Sequence, residues 1–361
     1  MSMRSFGRRY ILNHMYGSAE RTLFDPNARD NCTEPYIRLR HRCAELGYTF
    51  EATRDQPLEE CRWLLFWDAS SITPSGFRTR FAHNMKNRIR GSSTRDLLAE
   101  AKKAGVGDRL ALFIFEPPAV CPANFDPAVH EEFPVIFTAD PTLAAGRKYH
   151  RIYFPNPMSY PRVEPLPFFQ KKLLVDISGY KFSSHERELF TERRLAVRFF
   201  EQRWPNDFDL YGEGWNPGYR SYMFRRLRGS SIRREFYPSY RGAVRHKWDV
   251  YPKYKFAMCY ENMLDQPGYV TLKIFDCLRC GCVPIYLGAP DIADYVDKEA
   301  FVDRRKFSSN EELGAYIASV SEQEYEAFVD AGRAYLHGER FRPFLADTFV
   351  DTVTAVLGLE R

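Results

Sequence analysis

The sequence lacks the long apolar runs that mark membrane and secreted proteins. Nowhere in its 361 residues do about 18 uncharged apolar residues follow one another, the length that a membrane-spanning helix needs. The opening stretch MSMRSFGRRYILNHMYG contains arginines but no apolar segment of signal length. We therefore expect a cytoplasmic protein, with at most peripheral contact at the inner face of the membrane.

The sequence also has few cysteines and a small net charge. The eight cysteines lack the density of a disulfide scaffold, so we expect reduced thiols. Cys277, Cys280 and Cys282 have the spacing of half a zinc site, but the neighbouring segments offer no second pair of ligands. We interpret them as small core side chains and expect no metal site. The net charge of +5 is too small for a dedicated nucleic-acid binder and suits an anionic small ligand.

The length and the order of elements predict an α/β protein of two domains. The apolar run from Trp63 to Trp67 ends in Asp68, and the run from Leu112 to Phe115 ends in Glu116, as buried parallel strands do. Several prolines between positions 153 and 169 indicate a linker. We predict domains over 1–160 and 170–335, the second with a helix from about Ser184 to Gln202, and a final helix in 336–361 that packs back on the first domain.

Glu116 is the first candidate site residue. Ligands of open α/β sheets gather outside the carboxyl ends of the strands, where Glu116 is expected to lie. An exposed loop carboxylate with no function would give the same pattern. The residues alone therefore leave both interpretations open.

The segment 254–290 has the order strand, polar pair, helix N-terminus, strand. Glu261 and Asn262 follow the predicted strand, and Thr271 is the predicted N-cap of the helix. Lys273 lies in the first turn, where the helix dipole disfavours a cation, so a bound diphosphate would relieve the conflict. A surface lysine with its ammonium in water is the alternative. This order fits nucleotide-sugar transferases and also other doubly wound nucleotide binders.

Two further segments are basic. Residues 218–247 interleave arginines with aromatic side chains, which fits single-stranded nucleic acid, an anionic glycan or lipid headgroup, or a solvated loop. A second basic run points to an anionic or lipid-linked glycan acceptor or to a solvated helix face: Arg78, Arg80, Lys86, Arg88 and Arg90. We expect no nucleic-acid partner.

The run YENMLDQPGYVTLKIFDCLRCGCVPIYLGAPDIADYV resembles the hallmark motif of glycosyltransferase family 10, the α-1,3/4-fucosyltransferases. That motif reads F/Y-E-N, then Y-V-T-E-K, then G-x-V-P-(I/V)-x-(L/W)-G. Upstream, ISGYKFSSHERELFTERRLAVRFF, FDLYGEGW and YRGAVRHKWDVYPKYKF resemble bacterial members, so the similarity covers most of positions 170–330. FEPPAV resembles the family's F-E-x-P element.

The resemblance implies a GT-B architecture, with two Rossmann-like domains that face a central cleft. The first would bind the acceptor and the second the nucleotide-sugar donor. The implied reaction is the inverting transfer of fucose, or a related deoxysugar, from GDP-fucose to a glycan hydroxyl. The linkage would be α-1,3 to a GlcNAc-type residue of a cell-surface polysaccharide or lipopolysaccharide.

The resemblance also assigns roles to individual residues. Glu116 falls on the proposed general base, and Arg193 falls on the arginine that contacts the donor's phosphates, with Arg194 as the alternative register. The donor-binding positions fall within the hallmark motif: Glu261, Asn262, Tyr269, Thr271 and Lys273. Because these cations and the helix N-terminus can stabilise a leaving diphosphate, the chemistry requires no divalent metal, and we expect no tightly bound cofactor.

Leu272 departs from the family pattern, which has a Glu associated with the nucleotide ribose at that place. A leucine cannot make the carboxylate-to-hydroxyl hydrogen bond. Either another group takes over the ribose contact, or the donor is a different nucleotide-deoxysugar, or donor use is impaired. The alternative function is therefore a noncatalytic or altered-donor protein that binds nucleotide sugars or glycans.

Overall fold

A computed structural model describes residues 10–15, 22–53, 57–69, 96–144, 146–216 and 236–360. The strands in these ranges are β1 Tyr10–Met15, β2 Thr49–Ala52, β3 Cys61–Trp67, β4 Leu110–Ile114, β5 Val135–Thr138, β6 Tyr149–Arg151, β7 Lys172–Ile177, β8 Phe208–Tyr211, β9 Tyr254–Tyr260, β10 Val283–Leu287 and β11 Val302–Asp303. The α-helices are α1 Glu34–Glu45, α2 Leu97–Lys103, α3 Pro127–Glu131, α4 Phe190–Arg203, α5 Leu272–Arg279, α6 Ile292–Tyr295, α7 Asn310–Ser319, α8 Glu322–His337 and α9 Ala346–Val356.

The chain divides into two compact units. Unit 1 comprises residues 1–160, 267–269 and 342–361, and unit 2 comprises residues 161–266 and 270–341. The last helix, α9, is therefore part of unit 1. Three residues of the hallmark motif, 267–269, also belong to unit 1, although the residues before and after them belong to unit 2.

Unit 1 is built on a six-stranded parallel sheet with the order β2-β1-β3-β4-β5-β6. Successive residues of β3 point to opposite faces, as the strand period requires. Leu64 belongs to a hydrophobic cluster that also contains Leu97 of α2. Leu65 packs in the cluster that holds Leu39 of α1 and Phe349 of α9. Both faces of the sheet are thus covered by helices, which explains why β3 and β4 are almost uniformly apolar.

Unit 2 is built on a five-stranded parallel sheet with the order β11-β10-β9-β7-β8. On one face, Phe256 and Met258 of β9 pack with Phe200 of α4. On the other, the Cys259 Sγ lies 3.2 Å from the Cys277 Sγ of α5. Two parallel sheets covered by helices confirm the predicted α/β class.

The start of α4 differs from the prediction of a helix from about Ser184. The helix begins at Phe190 because the Glu188 carboxylate accepts hydrogen bonds from the backbone N–H of Phe190 at 2.6 Å and of Thr191 at 3.0 Å. A carboxylate in this position satisfies amide groups that have no partner within the helix. The preceding residues form a turn in which the Glu188 N–H donates to the His185 carbonyl.

None of the helices in the described ranges combines the length and the apolar character that a membrane span requires.

Candidate active site

Glu116 lies just beyond β4, and its backbone is fixed at the carboxyl end of the unit 1 sheet. Asp68, which follows β3, accepts hydrogen bonds at Oδ1 from the backbone N–H of Phe115 and of Glu116, both at 2.8 Å. The Asn124 side-chain amide donates to the same oxygen at 2.6 Å and to the Glu116 carbonyl oxygen at 2.8 Å. The backbone of Glu116 is therefore held rigidly while its side chain stays partly exposed.

Asp68 is a positioning group that sequence reasoning noted only as the end of a strand. Its φ of 59° lies in the left-handed region, which aspartate tolerates better than most residues. Burial raises the pKa of Asp68 to about 6, and the neighbouring Glu116 charge acts in the same direction, while the hydrogen bonds from Asn124 and the two amides oppose the rise. The apolar run before Asp68 was its only signal in the sequence.

The structure brings Tyr269 together with Glu116 in unit 1. The Tyr269 hydroxyl donates a hydrogen bond of 3.4 Å to Glu116 Oε2, and its ring meets the Phe154 ring edge-on, with 5.4 Å between centroids. Gly268 has a φ of 70°, and a Cβ there would lie 2.0 Å from the Ala139 carbonyl oxygen, so only glycine fits. Spacing along the chain could not show this juxtaposition, because the two side chains are 153 positions apart.

Glu261 and Asn262 follow β9 in unit 2, as predicted, and Glu261 is fully buried. The Glu261 carboxylate accepts hydrogen bonds from the Thr271 backbone N–H at 2.9 Å and from the Thr271 hydroxyl at 2.9 and 3.0 Å. Thr271 is the N-cap of α5, as predicted, but the capping carboxylate is supplied by Glu261. Gly288 leaves the room for it, because a Cβ there would lie 2.6 Å from Glu261 Cγ.

Lys273 is paired with the same carboxylate. Its Nζ lies 2.6 Å from Glu261 Oε2, and a quarter of its side chain is exposed. The alternative of an ammonium in open water is therefore wrong. Glu261 also relieves the conflict between the lysine and the helix dipole, so a cation in the first turn no longer demands a diphosphate by itself.

Arg193 and Arg194 are consecutive residues of α4, but their side chains have different hydrogen-bond partners. The buried Arg193 donates through Nη2 to the carbonyl oxygens of Tyr260 at 2.7 Å and Glu261 at 3.0 Å. The partly exposed Arg194 donates to the Lys181 carbonyl oxygen at 2.6 Å. Of the two arginines, Arg193 is thus the one that reaches the end of β9.

Asp176 is a buried carboxyl of this region that sequence reasoning missed. It lies in β7, and the Ser178 hydroxyl donates to its Oδ2 at 2.5 Å. Burial raises the pKa of Asp176 to about 6, while the charge of Arg193, the Ser178 hydrogen bond and the charge of Lys273 oppose the rise. The sequence does contain a signal for Asp176. It interrupts the apolar run of KKLLVDISG, and acidic residues likewise end the apolar runs before Asp68 and Glu116.

Replacing Asp176 with asparagine is expected to flatten the pH dependence of stability between about pH 4 and 6. A carboxyl whose folded pKa of about 6 exceeds its ordinary value of 3.8 binds its proton more tightly in the folded state. Its contribution is fully present below pH 4 and is lost as the pH rises through 6, by about 3 kcal/mol.

Urea unfolding at pH 4, 5, 6 and 7 measures this loss in the wild type and in Asp176→Asn. The exposed Asp207→Asn variant is the matched control in the same unit. Equal pH slopes in the wild type and in Asp176→Asn would contradict the prediction.

A cavity of about 480 Å³ opens within unit 2, beside the first turn of α4. Its walls come from residues 186–189, Thr191, Glu192, Leu264, Leu287, Arg304 and Arg305. It adjoins the end of β9, because the Leu189 backbone N–H donates to the Asn262 carbonyl oxygen at 3.2 Å. Its size lies within the range of small-molecule sites, and it opens at the edge of the sheet where α/β proteins bind ligands.

Most of the two predicted basic segments lies outside the described residues. This applies to Arg78, Arg80, Lys86, Arg88 and Arg90 and to residues 217–235. From position 236 onward, Arg241 donates through Nε to the buried Asp209 at 2.6 Å, and Tyr237 is buried. Arg241 therefore stabilises unit 2, and binding of a glycan or nucleic acid by this segment stays a prediction.

The cysteines of α5 and the turn after it are core residues. Cys277, Cys280 and Cys282 are buried, which agrees with their interpretation as small core side chains. Within the part of the chain that the structure describes, no three His, Cys, Asp or Glu side chains are grouped so that they could hold a metal ion.

Comparison with known sequences identifies a segment that includes the hallmark motif. Residues 231–336 match a family model described as glycosyltransferase family 10 (fucosyltransferase), C-terminal. An α-(1,4)-fucosyltransferase of Arabidopsis thaliana is 38% identical over 84 residues, which are 22% of this chain and 21% of that protein. The α-(1,3)-fucosyltransferase FucT of Helicobacter pylori is 36% identical over 74 residues, 20% of this chain and 15% of that protein. The chain thus spans about a fifth or less of the length of these relatives.

Comparison with solved structures covers nearly the whole chain. A crystal structure of an α1,3-fucosyltransferase with GDP aligns with a TM-score of 0.53 and 14% identity over 99% of this chain and 92% of that one. A crystal structure of Anabaena HepE in complex with UDP and glucose aligns with a TM-score of 0.53 and 11% identity over 97% of this chain and 99% of that one. At these identities the likeness shows the fold, which is the predicted GT-B class of two Rossmann-like domains.

The matched segment contains Glu261, Asn262, Tyr269, Thr271 and Lys273, whereas Glu116 and Arg193 lie outside it. These matches confirm the predicted resemblance. Over residues 231–336, the chain is similar to the C-terminal domain of glycosyltransferase family 10, the fucosyltransferases.

Proposed function

We propose that this chain is an inverting glycosyltransferase that moves fucose, or a related deoxysugar, from GDP-fucose to a hydroxyl group of a glycan acceptor. One observation carries the proposal: inside the family 10 segment, Glu261, Thr271 and Lys273 converge where β9 ends and α5 begins. This edge of a parallel sheet, with a helix N-terminus and a lysine, suits a nucleoside diphosphate. The related fucosyltransferases, one of them solved with GDP, support the donor class.

The diphosphate is proposed to bind at the N-terminus of α5. The Lys273 side chain is a quarter exposed, and its ammonium group pairs with Glu261. An ammonium has three N–H donors, so it can also donate to a phosphate oxygen. Arg193 holds the backbone that carries Glu261 and Asn262, so it is the preferred phosphate-side arginine, with Arg194 as the alternative.

The nucleoside is proposed to occupy the cavity beside α4. Glu186 and Glu192 line it and can accept hydrogen bonds from ribose hydroxyls or from the N–H groups of guanine. Either carboxylate can thereby replace the Glu that family members have at the position of Leu272.

Glu116 is proposed as the general base. It takes the proton from the acceptor hydroxyl as that oxygen forms its bond to the anomeric carbon, while the bond to GDP breaks on the opposite side and the configuration inverts. Lys273 and the α5 N-terminus stabilise the charge that grows on the departing diphosphate. Asp68 and Asn124 hold the Glu116 backbone before the substrate arrives, which reduces reorganisation during reaction.

Unit 1 is proposed to bind the acceptor, since it holds Glu116, and unit 2 the donor. We propose an α-1,3 linkage to a GlcNAc-type residue of a cell-surface polysaccharide or lipopolysaccharide, assembled at the cytoplasmic face of the membrane. Leu272 favours a second candidate, a noncatalytic or altered-donor protein. It occupies the first turn of α5, where family members have a carboxylate.

A donor screen by thermal shift separates these functions. GDP and GDP-fucose are expected to raise the melting temperature, because a ligand at about 100 times its Kd stabilises the folded state by about 2.7 kcal/mol, whereas UDP-glucose should not. Fucose transfer or GDP-fucose hydrolysis then distinguishes an enzyme from a binding protein. A shift with UDP-glucose alone would overturn the GDP-fucose proposal.

The variant Leu272→Glu sharpens the screen. If the ribose contact is missing, restoring the carboxylate tightens GDP-fucose binding. If cavity residues already supply the contact, affinity stays at the wild-type value.

A further inference from the structure

Tyr269 is packed as a residue of unit 1. Its side chain is only 5% exposed, its ring lies edge-on against Phe154, and its hydroxyl points to Glu116 Oε2 at 3.4 Å. All three residues belong to unit 1, whereas Val270 and the helix that follows it belong to unit 2. Its surroundings therefore differ from those of Glu261, Thr271 and Lys273, with which it shares a motif.

The backbone before Tyr269 leaves it little freedom. At Gly268, an added Cβ would lie 2.0 Å from the Ala139 carbonyl oxygen, 2.9 Å from Arg151 Nη2 and 3.0 Å from Pro141 Cδ. The main chain thus lies directly against the loop after β5 and against the end of β6. Because backbone and ring are both confined, the place of the hydroxyl is set by packing rather than by a bound donor.

A phenol hydroxyl that donates to one carboxylate oxygen can fix the orientation of a general base. The Tyr269 hydroxyl donates to Oε2 at 3.4 Å, and a donor fixed at one oxygen sets the plane of the whole carboxylate. A catalytic hydrogen bond of 3.4 Å in a ligand-free structure commonly shortens in the substrate complex.

We propose that Tyr269 is a positioning residue for Glu116: its hydroxyl fixes one carboxylate oxygen and aims the other at the acceptor hydroxyl. Tyr269 keeps its own proton, and the acceptor's proton passes to Glu116. The inference rests on the proposed function, which names Glu116 as the base. It gives Tyr269 a role distinct from the donor contact that the family resemblance implies.

The variant Tyr269→Phe tests the proposal, because it removes the hydroxyl and keeps the ring against Phe154. The kcat for transfer is expected to fall by about tenfold to a hundredfold, because the carboxylate loses its fixed orientation toward the acceptor hydroxyl. The KM for GDP-fucose and the Kd of GDP should stay at wild-type values.

Tyr316→Phe, on α7, is the matched control and should have wild-type kinetics. An unchanged kcat, or a Kd of GDP that rises as activity falls, would overturn the proposal.

The outcome can be separated from failure of the proposed function itself. If Glu116→Gln keeps wild-type turnover, the base assignment fails and this inference fails with it. If Glu116→Gln is inactive while Tyr269→Phe keeps its kcat, only the inference is wrong.

Discussion

Replacing Glu116 with glutamine is expected to abolish fucose transfer and to leave GDP binding nearly unchanged. The amide has the shape of the carboxylate but cannot take a proton from the acceptor hydroxyl, and loss of such a group lowers the rate by about 10²-fold to 10⁴-fold. The loop should keep its form, because Asp68 and Asn124 hold the backbone of residue 116, which the substitution does not alter.

Transfer rates and GDP calorimetry on the purified variant provide the measurement. Glu131→Gln, an exposed position of α3 in the same unit, is the matched control and should behave as wild type. Wild-type turnover in Glu116→Gln would show that another group removes the proton.

Replacing Lys273 with alanine is expected to weaken GDP binding and to lower stability as well. Loss of a charge-assisted hydrogen bond to phosphate raises the Kd of GDP by about tenfold to a hundredfold. Stability falls because Glu261 is fully buried and loses its cation, a change that costs about 3 kcal/mol or more. Calorimetry with GDP and urea unfolding measure the two effects separately.

Two controls separate binding from folding. In the double variant Lys273→Met with Glu261→Gln, both charges are gone, so stability should recover while GDP binding stays weak. Lys247, which lies before β9, offers a matched control, because its Nζ lies 2.6 Å from the buried Asp276 of α5. Lys247→Ala should lose stability and keep its affinity for GDP. An unchanged Kd of GDP in Lys273→Ala would show that the lysine serves the fold alone.

The strands and the order of the donor segment could be predicted because buried parallel strands are unbroken apolar runs. The strands that precede Asp68, Glu116 and Glu261 each have this form, and their last residues mark the sheet edge where ligands bind. Helix ends are less determined by local pattern. The residues 184–189 are compatible with a helix, and only the Glu188 carboxylate fixes the start of α4 at Phe190.

Partners of charged side chains could not be predicted from spacing. The pairing of Lys273 with Glu261 joins a helix to the end of a strand, and a one-dimensional pattern cannot rank Glu261 against a bound phosphate as the lysine's partner. The same holds for Arg193, whose partners are backbone carbonyl groups. The contact between Tyr269 and Glu116 forms because residues 267–269 pack as part of unit 1. That packing is a property of the tertiary fold and not of the local sequence.

The assignment of residues 267–269 to unit 1 has a consequence for protein engineering. Under the proposed function, acceptor specificity would be altered by exchanging unit 1 for that of a relative, and the simplest design has a single crossover near Tyr160. Here such a chimera would pair a foreign unit 1 with the resident Gly268 and Tyr269, and the glycine tolerates no misfit against the Ala139 carbonyl oxygen. A productive graft needs four crossovers, so that residues 267–269 and 342–361 are exchanged together with residues 1–160.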